Sequence, residues 1–291
     1  LNLSKTAATP TGDAVDGQRI LNYLRGDRSF ESTSTVSNLY RQRGTLLGDI
    51  VDSKVVYVGK PSATYSDSSN PGYAQFKTDY ATRVPLVIVG ANDGMVHAFD
   101  ASEGVDAGKE VFGLVPYSAF EGPDANPEVS GIQALARKTY VHHYYMNATP
   151  EIRDVDLART GAKLDSFGSS VPSDWRTLMV VGQGKGGRSF VAMDVTSVSS
   201  SLSEDNIAAK VLWEYTHADM GFSFGRPLIA KTRRWGWVVI LTGGYNNVGG
   251  GKAGQGALFI LNAKTGELLG SSPVYTGVGS LTAPSGFAQI E

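Results

Sequence analysis

The chain has 291 residues, of which 35 are glycine, 12 are proline and 10% are aromatic, a composition that favours short strands and tight turns over long helices. Its 26 Lys and Arg residues nearly balance its 28 Asp and Glu residues, and the net charge of -2 argues against nucleic acid or an anionic membrane as the main partner. There is no cysteine, which excludes disulfides, thiol catalysis and cysteine-ligated metal sites within this chain.

The apolar runs are too short to predict a membrane span. The longest, Val84–Ala91 and Trp235–Leu241, fall far below the roughly 18 residues that a membrane helix needs. No signal peptide is visible, and because the sequence starts at Leu1 we expect it to be a piece of a longer protein.

One short helix is predicted near the start of the chain. Thr11–Asp13 offer capping side chains, and Gly26 is a natural stop. Between them, residues recur at helical spacing: Val15, Arg19, Ile20, Tyr23 and Leu24. We assign residues 1–45 to this helix and a Ser/Thr-rich lead-in segment, and residues 46–291 to a second unit.

Almost every later apolar run is short and rich in Val, Ile, Tyr and Phe, which predicts strands. The predicted strands are Val55–Val58, Leu86–Val89, Met95–Phe99, Glu110–Val115, Lys138–Tyr145, Leu178–Val181, Ser189–Met193, Val211–Tyr215, Trp237–Leu241 and Ala257–Leu261.

A unit of strand, glycine turn, second strand and terminal Asp or Asn occurs three times along the chain. The closing residues are Asp100, Asp194 and Asn262. We expect each of them to bond its own backbone and so cap the turn that follows. Repeated antiparallel sheets of this kind bury both faces when they pack radially, which predicts a β-propeller. Trp213, on the strand after the second repeat, is expected to lie between blades.

Motifs in this order resemble the β-propeller domain of PilY/PilC-type, type IV pilus-associated adhesins. The matching segments cover essentially the whole chain: residues 24–28 (Leu-Arg-Gly-Asp-Arg), 41–43, 47–50, 90–101 (Gly-Ala-Asn-Asp-Gly-Met-Val-His-Ala-Phe-Asp-Ala), 175–178, 182–187, 192–195 and 237–246. The strand, glycine, strand and Asp-Ala pattern is also similar to quinoprotein propellers.

The resemblance implies an all-β, quinoprotein-like β-propeller that is incomplete here, with roughly four blades' worth of strands after a short N-terminal helix. Family members carry a calcium-binding Asp-rich loop and further blades after the stretch that corresponds to Pro284–Glu291. We therefore expect calcium in the family from a loop beyond Glu291, and no cofactor within this chain.

The resemblance further implies a non-enzymatic binding and assembly module that supports pilus biogenesis, surface adhesion and twitching motility. Its partners would be pilins, minor pilins, pilus assembly proteins and a host-cell receptor, with no nucleic acid. The protein would be exported through the periplasm. It would then be extracellular or associated with the outer membrane, at the tip of the pilus (fimbrium). The alternative function is a quinoprotein-like oxidoreductase, which would need a cofactor seat at the centre of the disc. A purely structural scaffold without a ligand is a third possibility.

Two short motifs resemble catalytic or nucleotide-binding signatures. Gly182–Gly187 matches GxGxxG, but a strand pattern follows it where a phosphate-binding loop needs a helix, so we predict a hairpin turn. Gly221–Gly225 matches the GxSxG nucleophile elbow, but Pro227 opens no helix and no histidine follows His217, so a blade turn is favoured. No catalytic residue is predicted.

Metal-binding patterns are weak. His142 and His143 are adjacent on a predicted strand and would point to opposite faces, while His97 is expected to be a hydrogen-bonded structural residue. Asp13 and Asp16 are weak calcium candidates that equally suit helix capping.

Arg25-Gly26-Asp27 is the candidate receptor-binding element. An exposed tripeptide of this type presents a cation and a carboxylate to an integrin and its bound metal, whereas a structural joint that ends the helix is the favoured alternative.

Insertions supply the candidate partner surfaces, at residues 65–80, 122–133, 161–174 and 243–256. The last is glycine-rich, and we predict that it is a mobile surface loop or a segment that folds onto a partner.

Overall fold

The computed structural model describes residues 14–168 and 170–288. Its strands form three four-stranded antiparallel sheets, each built from four strands that are consecutive in the chain. This is the blade pattern of a β-propeller, and the predicted fold class is confirmed. We expected strands for roughly four blades, and the described part of the chain contains three.

The three blades follow one another along the chain. The first contains β1 (Val56–Val58), β2 (Leu86–Gly90), β3 (Val96–Asp100) and β4 (Glu110–Leu114). The second contains β5 (Glu151–Asp156), β6 (Trp175–Gly182), β7 (Phe190–Asp194) and β8 (Val211–Tyr215). The third contains β9 (Leu228–Thr232), β10 (Gly236–Thr242), β11 (Ala257–Asn262) and β12 (Val274–Tyr275).

Helices are short and occupy the lead-in segment and the insertions. They are α1 (Ala14–Leu24), α2 (Tyr73–Asp79), α3 (Pro127–Ser130) and α4 (Glu204–Ala208), with 3-10 turns at Tyr117–Phe120, Ile132–Ala136, Leu164–Ser166 and Gly184–Gly186. The predicted first helix is confirmed, and Gly26 follows it with φ of 108°, a conformation that glycine adopts without strain.

One predicted strand is wrong. Residues 138–145 belong to no sheet, because their alternating pattern serves side-chain contacts instead of a strand ladder. Tyr140, His142 and Tyr144 contact one another in edge-to-face geometry at 6.5 and 5.2 Å between ring centroids. The Arg41 guanidinium lies 4.0 Å from the Tyr140 ring centroid and Lys185 lies 4.4 Å from that of Tyr144.

The predicted closing residues of the repeats cap their turns as expected. Asp100 Oδ1 accepts the Ser102 backbone N–H at 2.7 Å, and Asp194 Oδ1 accepts that of Thr196 at 2.9 Å. Asn262 does the same in the third blade, where its Oδ1 accepts the Lys264 N–H at 2.9 Å. The repeat therefore marks equivalent positions in three blades.

The blades are joined by apolar cores that form between neighbouring sheets. The core between the first and second blades includes Ile88, Val96 and Met179, and the larger core between the second and third blades includes Trp175 and Trp237. Trp213 lies in this second core as predicted, and its indole N–H donates to the Ala263 carbonyl of the third blade at 3.1 Å. Burial of this kind is the main stabilising contribution in a propeller.

The lead-in segment is fixed to the blades by a small core of its own. Ile20, Tyr23 and Tyr40 are buried together with Ala136. The assignment of residues 1–45 and 46–291 to separate units stays a prediction. No helix among the described residues is both long and apolar enough to cross a bilayer.

Candidate functional site

Arg25, Gly26 and Asp27 lie directly after α1, at the rim of the first blade. Both charged side chains are exposed, although Arg25 forms an ion pair with Glu204 at the start of α4. That pair is solvent-exposed, with 47% and 79% of the two side chains accessible, so its contribution to stability is small and Arg25 can exchange partners. The tripeptide is accessible from solvent.

Asp27 holds a local turn. Its Oδ1 accepts the Ser29 backbone N–H at 2.8 Å and the Ser29 hydroxyl at 2.6 Å. These bonds lower the pKa of the Asp27 carboxyl below its ordinary value, so the group is anionic at neutral pH. Asp27 Oδ2 has no protein partner among the described residues, and one carboxylate oxygen is therefore free for a ligand.

A groove of about 640 Å³ adjoins this tripeptide. It runs along β4, between the end of α1 and the α4 insertion, and its walls are mainly apolar. Its charged lining residues are Arg25, Asp93, His97, Glu110 and Glu204. The lead-in segment, the first blade and the second blade thus meet at this groove.

His97 is the buried charged group of the groove. Its Nδ1 lies 2.5 Å from Glu110 Oε1, and its Nε2 lies 3.1 Å from both carboxylate oxygens of Asp93. Burial alone would lower the pKa of His97, but the hydrogen bonds and charges of the two carboxylates outweigh it and raise the pKa to about 9. The ring is a structural, protonated histidine at neutral pH, as the sequence predicts for its hydrogen bonding.

This raised pKa predicts a pH-dependent stability. The unfolded histidine has a pKa near 6.5, so the stabilisation should be complete below about pH 6.5 and should be lost as the pH rises through about 9. We expect the difference in free energy of unfolding between the wild type and His97→Gln to shrink by about 3 kcal/mol over that interval. Urea unfolding of both proteins at pH 6, 7.5 and 9.5 measures it. A difference that stays constant with pH would contradict the assignment.

The two motifs that resemble catalytic signatures lie in connections between strands, and residues 221–225 belong to the connection from β8 to β9, where Phe222 forms an antiparallel bridge with Tyr245. Residues 182–187 connect β6 to β7 through a 3-10 turn, which confirms the predicted hairpin. Ser223 is fully buried, with its hydroxyl accepting the Gln183 backbone N–H at 2.8 Å and donating to the Gly187 carbonyl at 3.2 Å. A hydroxyl held in this way joins two loops and is not exposed as a nucleophile.

The other histidines are dispersed. His142 contacts Asp49 at 3.0 Å, and His217 accepts the Asp219 backbone N–H at 3.1 Å. His142 and His143 do not lie on a strand, so the prediction that they point to opposite faces of a strand is wrong. In residues 14–168 and 170–288, no cluster of three or more His, Asp or Glu side chains is arranged to hold a metal. Asp13 and the side chain of Asp16 lie outside the described structure.

The predicted partner surfaces differ in how much they are built into the fold. Residues 65–80 include α2, which buries Tyr73 and Phe76 in the core between the second and third blades. Residues 122–133 include α3 and end in the buried Ile132. These two insertions are therefore parts of the packed structure, and only their outer faces are available for contacts.

The glycine-rich insertion at residues 243–256 has a defined fold on its own chain, which was not predicted. Asp219 Oδ1 accepts the Lys252 backbone N–H at 2.7 Å, and the Asn247 side chain donates to the Gln255 carbonyl at 2.7 Å. Gly254 N–H also donates to the Asn247 carbonyl at 2.8 Å. A backbone group takes part in each of these hydrogen bonds, so the segment is organised without large apolar side chains.

Sequence reasoning missed the groove and the partner of Arg25. Glu204 lies 179 positions further along the chain, and no local pattern connects the two residues. The His97 cluster carried a partial signal, because Asp93 lies in the β2–β3 turn and His97 only four positions further on, in β3, but Glu110 comes from the next strand.

Comparison with known proteins gives a consistent match. The PilY1 beta-propeller domain model matches residues 47–285. A type IV pilus biogenesis factor PilY1 homolog of Xylella fastidiosa is 33% identical over 93% of this chain and 18% of its own length. Type IV pilus biogenesis factor PilY1 of Pseudomonas aeruginosa (strain UCBPP-PA14) is 31% identical over 88% of this chain and 19% of its own length.

A solved structure is similar as well. The crystal structure of the Pseudomonas aeruginosa PilY1 C-terminal domain superposes with a TM-score of 0.50 at 28% identity, over 76% of this chain and 38% of that one. The chain spans about a fifth of the length of the curated relatives it matches.

Proposed function

The chain belongs to the PilY1 β-propeller domain family, and on that premise we propose that it is a non-enzymatic binding and assembly module of the type IV pilus machinery. The observation that carries the proposal is the family match over residues 47–285, which covers all three blades. The relatives are named as type IV pilus biogenesis factors. The similarity therefore supports a propeller domain that is associated with pilus biogenesis.

We propose pilins, minor pilins or pilus assembly proteins as the direct partners. Two extended cores hold the blades together, so the domain can present its insertions in fixed relative positions. Partner binding of this kind would support pilus assembly and, through assembled pili, surface adhesion and twitching motility. The place of action would be extracellular or outer-membrane-associated, at the pilus tip, after export through the periplasm.

A pull-down tests this proposal. The purified chain, immobilised through an added tag, should retain pilins or minor pilins from the bacterium that encodes it. A β-propeller of comparable size from an unrelated protein is the matched control. Retention of no pilus subunit, or equal retention by the control propeller, would contradict direct binding.

The rival function is a quinoprotein-like oxidoreductase. We propose that this chain does not catalyse such a reaction, because a quinone needs a seat at the centre of a closed disc and the three sheets of the described residues do not close a ring. Absorbance spectroscopy after reconstitution with a quinone distinguishes the two functions. A stoichiometric quinone spectrum with substrate-dependent bleaching would favour the oxidoreductase.

Calcium remains a proposal for the longer family members, through a loop beyond the position of Glu291. Within the described part of this chain, the donor set does not fit such a site, since no group of three or more His, Asp or Glu side chains is arranged to hold a metal ion. The proposed function of this chain therefore includes no step that depends on calcium.

Receptor contact through Arg25-Gly26-Asp27 is a further proposal, favoured by the exposure of both charged side chains. If Asp27 Oδ2 reaches the metal of a host integrin, Asp27→Glu should reduce binding at least about tenfold, because the longer side chain misplaces the carboxylate. Surface plasmon resonance on immobilised integrin measures the effect. The control is Asp165→Glu, an exposed acid elsewhere on the surface, and equal binding by both variants would contradict the proposal.

A further inference from the structure

A polar cleft, separate from the groove beside Arg25, lies between the first and second blades, on the side of the strands β1 and β5. Its volume is about 460 Å³. Three cationic side chains line it, Lys60, Arg83 and Arg153, and its one acidic lining residue is Asp154. Cations thus outnumber carboxylates by three to one among the lining residues of this cleft.

The single carboxylate is already engaged. Asp154 is buried, its Oδ2 accepts the Tyr73 hydroxyl at 2.6 Å and its Oδ1 accepts the Thr177 hydroxyl at 2.7 Å. Of the other two acids on β5, Glu151 pairs with Arg226 at 2.6 Å and Asp156 pairs with Arg159. The neutral hydroxyl partners of Asp154 do not cancel its negative charge, whereas Glu151 and Asp156 are each paired with an arginine.

Arg83 forms part of the rigid floor. Its guanidinium donates to the Gly59 carbonyl at 2.7 Å, to the Thr177 hydroxyl at 2.6 Å and to the Thr196 carbonyl at 3.2 Å. Burial lowers the pKa of Arg83, and the negative charge of the Asp154 carboxylate opposes that fall. These two charges therefore partly offset each other within the cleft, and Lys60 and Arg153 carry its net positive charge.

Arg153 and Lys60 differ from Arg83, because neither forms a hydrogen bond or ion pair with another described residue, and both are exposed. Arg153 lies near the phenol of Tyr65: burial raises the pKa of Tyr65, and the Arg153 charge opposes that rise. Hydroxyl groups also line the cleft, from Tyr57, Ser62, Thr64 and Tyr65. The cleft therefore combines unpaired cations with neutral hydrogen-bond donors.

We propose that this cleft binds an oxyanion, a carboxylate or phosphate group carried by a small ligand. Arg153 offers the planar pair of N–H donors that matches two oxygens of such a group, and Lys60 adds a second positive charge. The hydroxyl-bearing residues would bond the remaining oxygens or the polar body of the ligand. This binding goes beyond the proposed role in pilus assembly and is independent of it.

Isothermal titration of the purified chain in Tris chloride buffer tests the proposal. The probes are inorganic phosphate for a phosphate source, D-glucuronate for a sugar carboxylate, and D-glucose as the neutral control. We expect at least one anion to bind with a millimolar Kd, glucose not to bind, and added sodium chloride to weaken the binding. The anion that binds more tightly identifies the source.

Arg153→Gln should weaken anion binding at least about tenfold, and Lys60→Gln should weaken it less. Lys54→Gln, which removes an exposed charge outside the cleft, should bind like the wild type. Because Arg153 has no protein partner among the described residues, its variant should keep the wild-type Tm. Absence of binding by both anions up to about 50 mM, equal binding of glucose, or unchanged binding by Arg153→Gln would overturn the proposal.

Discussion

Trp237→Ala should lower the free energy of unfolding by about 3–5 kcal/mol. Trp237 is 2% exposed and lies in the core between the second and third blades. Its ring centroid lies 5.9 Å from that of Trp175 and 5.8 Å from that of Tyr65. Truncation would leave a cavity where a blade, its neighbour and the residue 65–80 insertion meet, and neighbouring side chains on three separate elements can close it only in part.

Urea unfolding followed by circular dichroism measures this effect. Trp235→Ala is the matched control, because Trp235 is two residues away in the β9–β10 turn and is only partly buried. We expect the control to lose less than about half as much stability. Trp237→Phe, which keeps an aromatic ring in the core, should fall between the wild type and the alanine variant. Equal losses for Trp235→Ala and Trp237→Ala would show that the core between these blades is not the main source of stability.

Arg43→Ala should lower the free energy of unfolding by a similar amount, about 3–5 kcal/mol, because it would leave a buried carboxylate without its partner. Arg43 Nε lies 2.5 Å from Glu31 Oε1, and both side chains are at most 7% exposed. The guanidinium also donates to the carbonyls of Tyr23 at 2.5 Å and Asp27 at 3.0 Å. One side chain thus connects the end of α1, the candidate receptor element and the rest of the lead-in segment.

The loss of stability in Arg43→Ala should first affect the lead-in segment and only then the whole domain. Native-state hydrogen exchange of Arg43→Ala should show faster exchange in α1 and in residues 25–31, while the strands of the second blade keep their protection. Arg28→Ala is the control, since the Arg28 side chain is about half exposed and its closest approach to Glu31 is 3.7 Å, which is too long for a hydrogen bond. The double variant Arg43→Met, Glu31→Met should recover part of the stability, because it removes both buried charges. Unchanged exchange in α1 would contradict the role of Arg43.

The sequence predicted those strands and turns whose pattern lies within a short stretch of the chain. The repeated strand, glycine, strand and Asp or Asn unit fixes the second and third strands of each blade, and the capping role of Asp100, Asp194 and Asn262 follows from their own turns. By contrast, β5, β9 and the two-residue strand β12 were missed. In β5 (Glu151–Asp156) the buried residues Asp154, Val155 and Asp156 are consecutive, and in β9 (Leu228–Thr232) only Ile229 is buried, so neither strand shows an alternation of apolar and polar residues.

Of the candidate site, only the tripeptide was predicted from the sequence; the adjoining groove and Glu204 were not. Arg25-Gly26-Asp27 is visible in the sequence, but its exposure depends on where α1 ends and on Glu204 from the second blade. The segment 138–145 shows the opposite failure, in which a strand-like alternation arises from contacts with Arg41 and Lys185. Contacts of this range come from the packing of blades and insertions, and no short window of sequence contains them.

Deletion of residues 47–285 from the full-length protein tests the central claim, a role of this propeller in the type IV pilus machinery, most directly. The deletion is made in the bacterium that encodes the protein, immunoblotting confirms that the shortened protein is present, and surface pili are counted by electron microscopy and by shearing. We expect surface pili to be lost or strongly reduced, and restored by the intact gene. A normal number of pili in cells that contain the shortened protein would contradict the account.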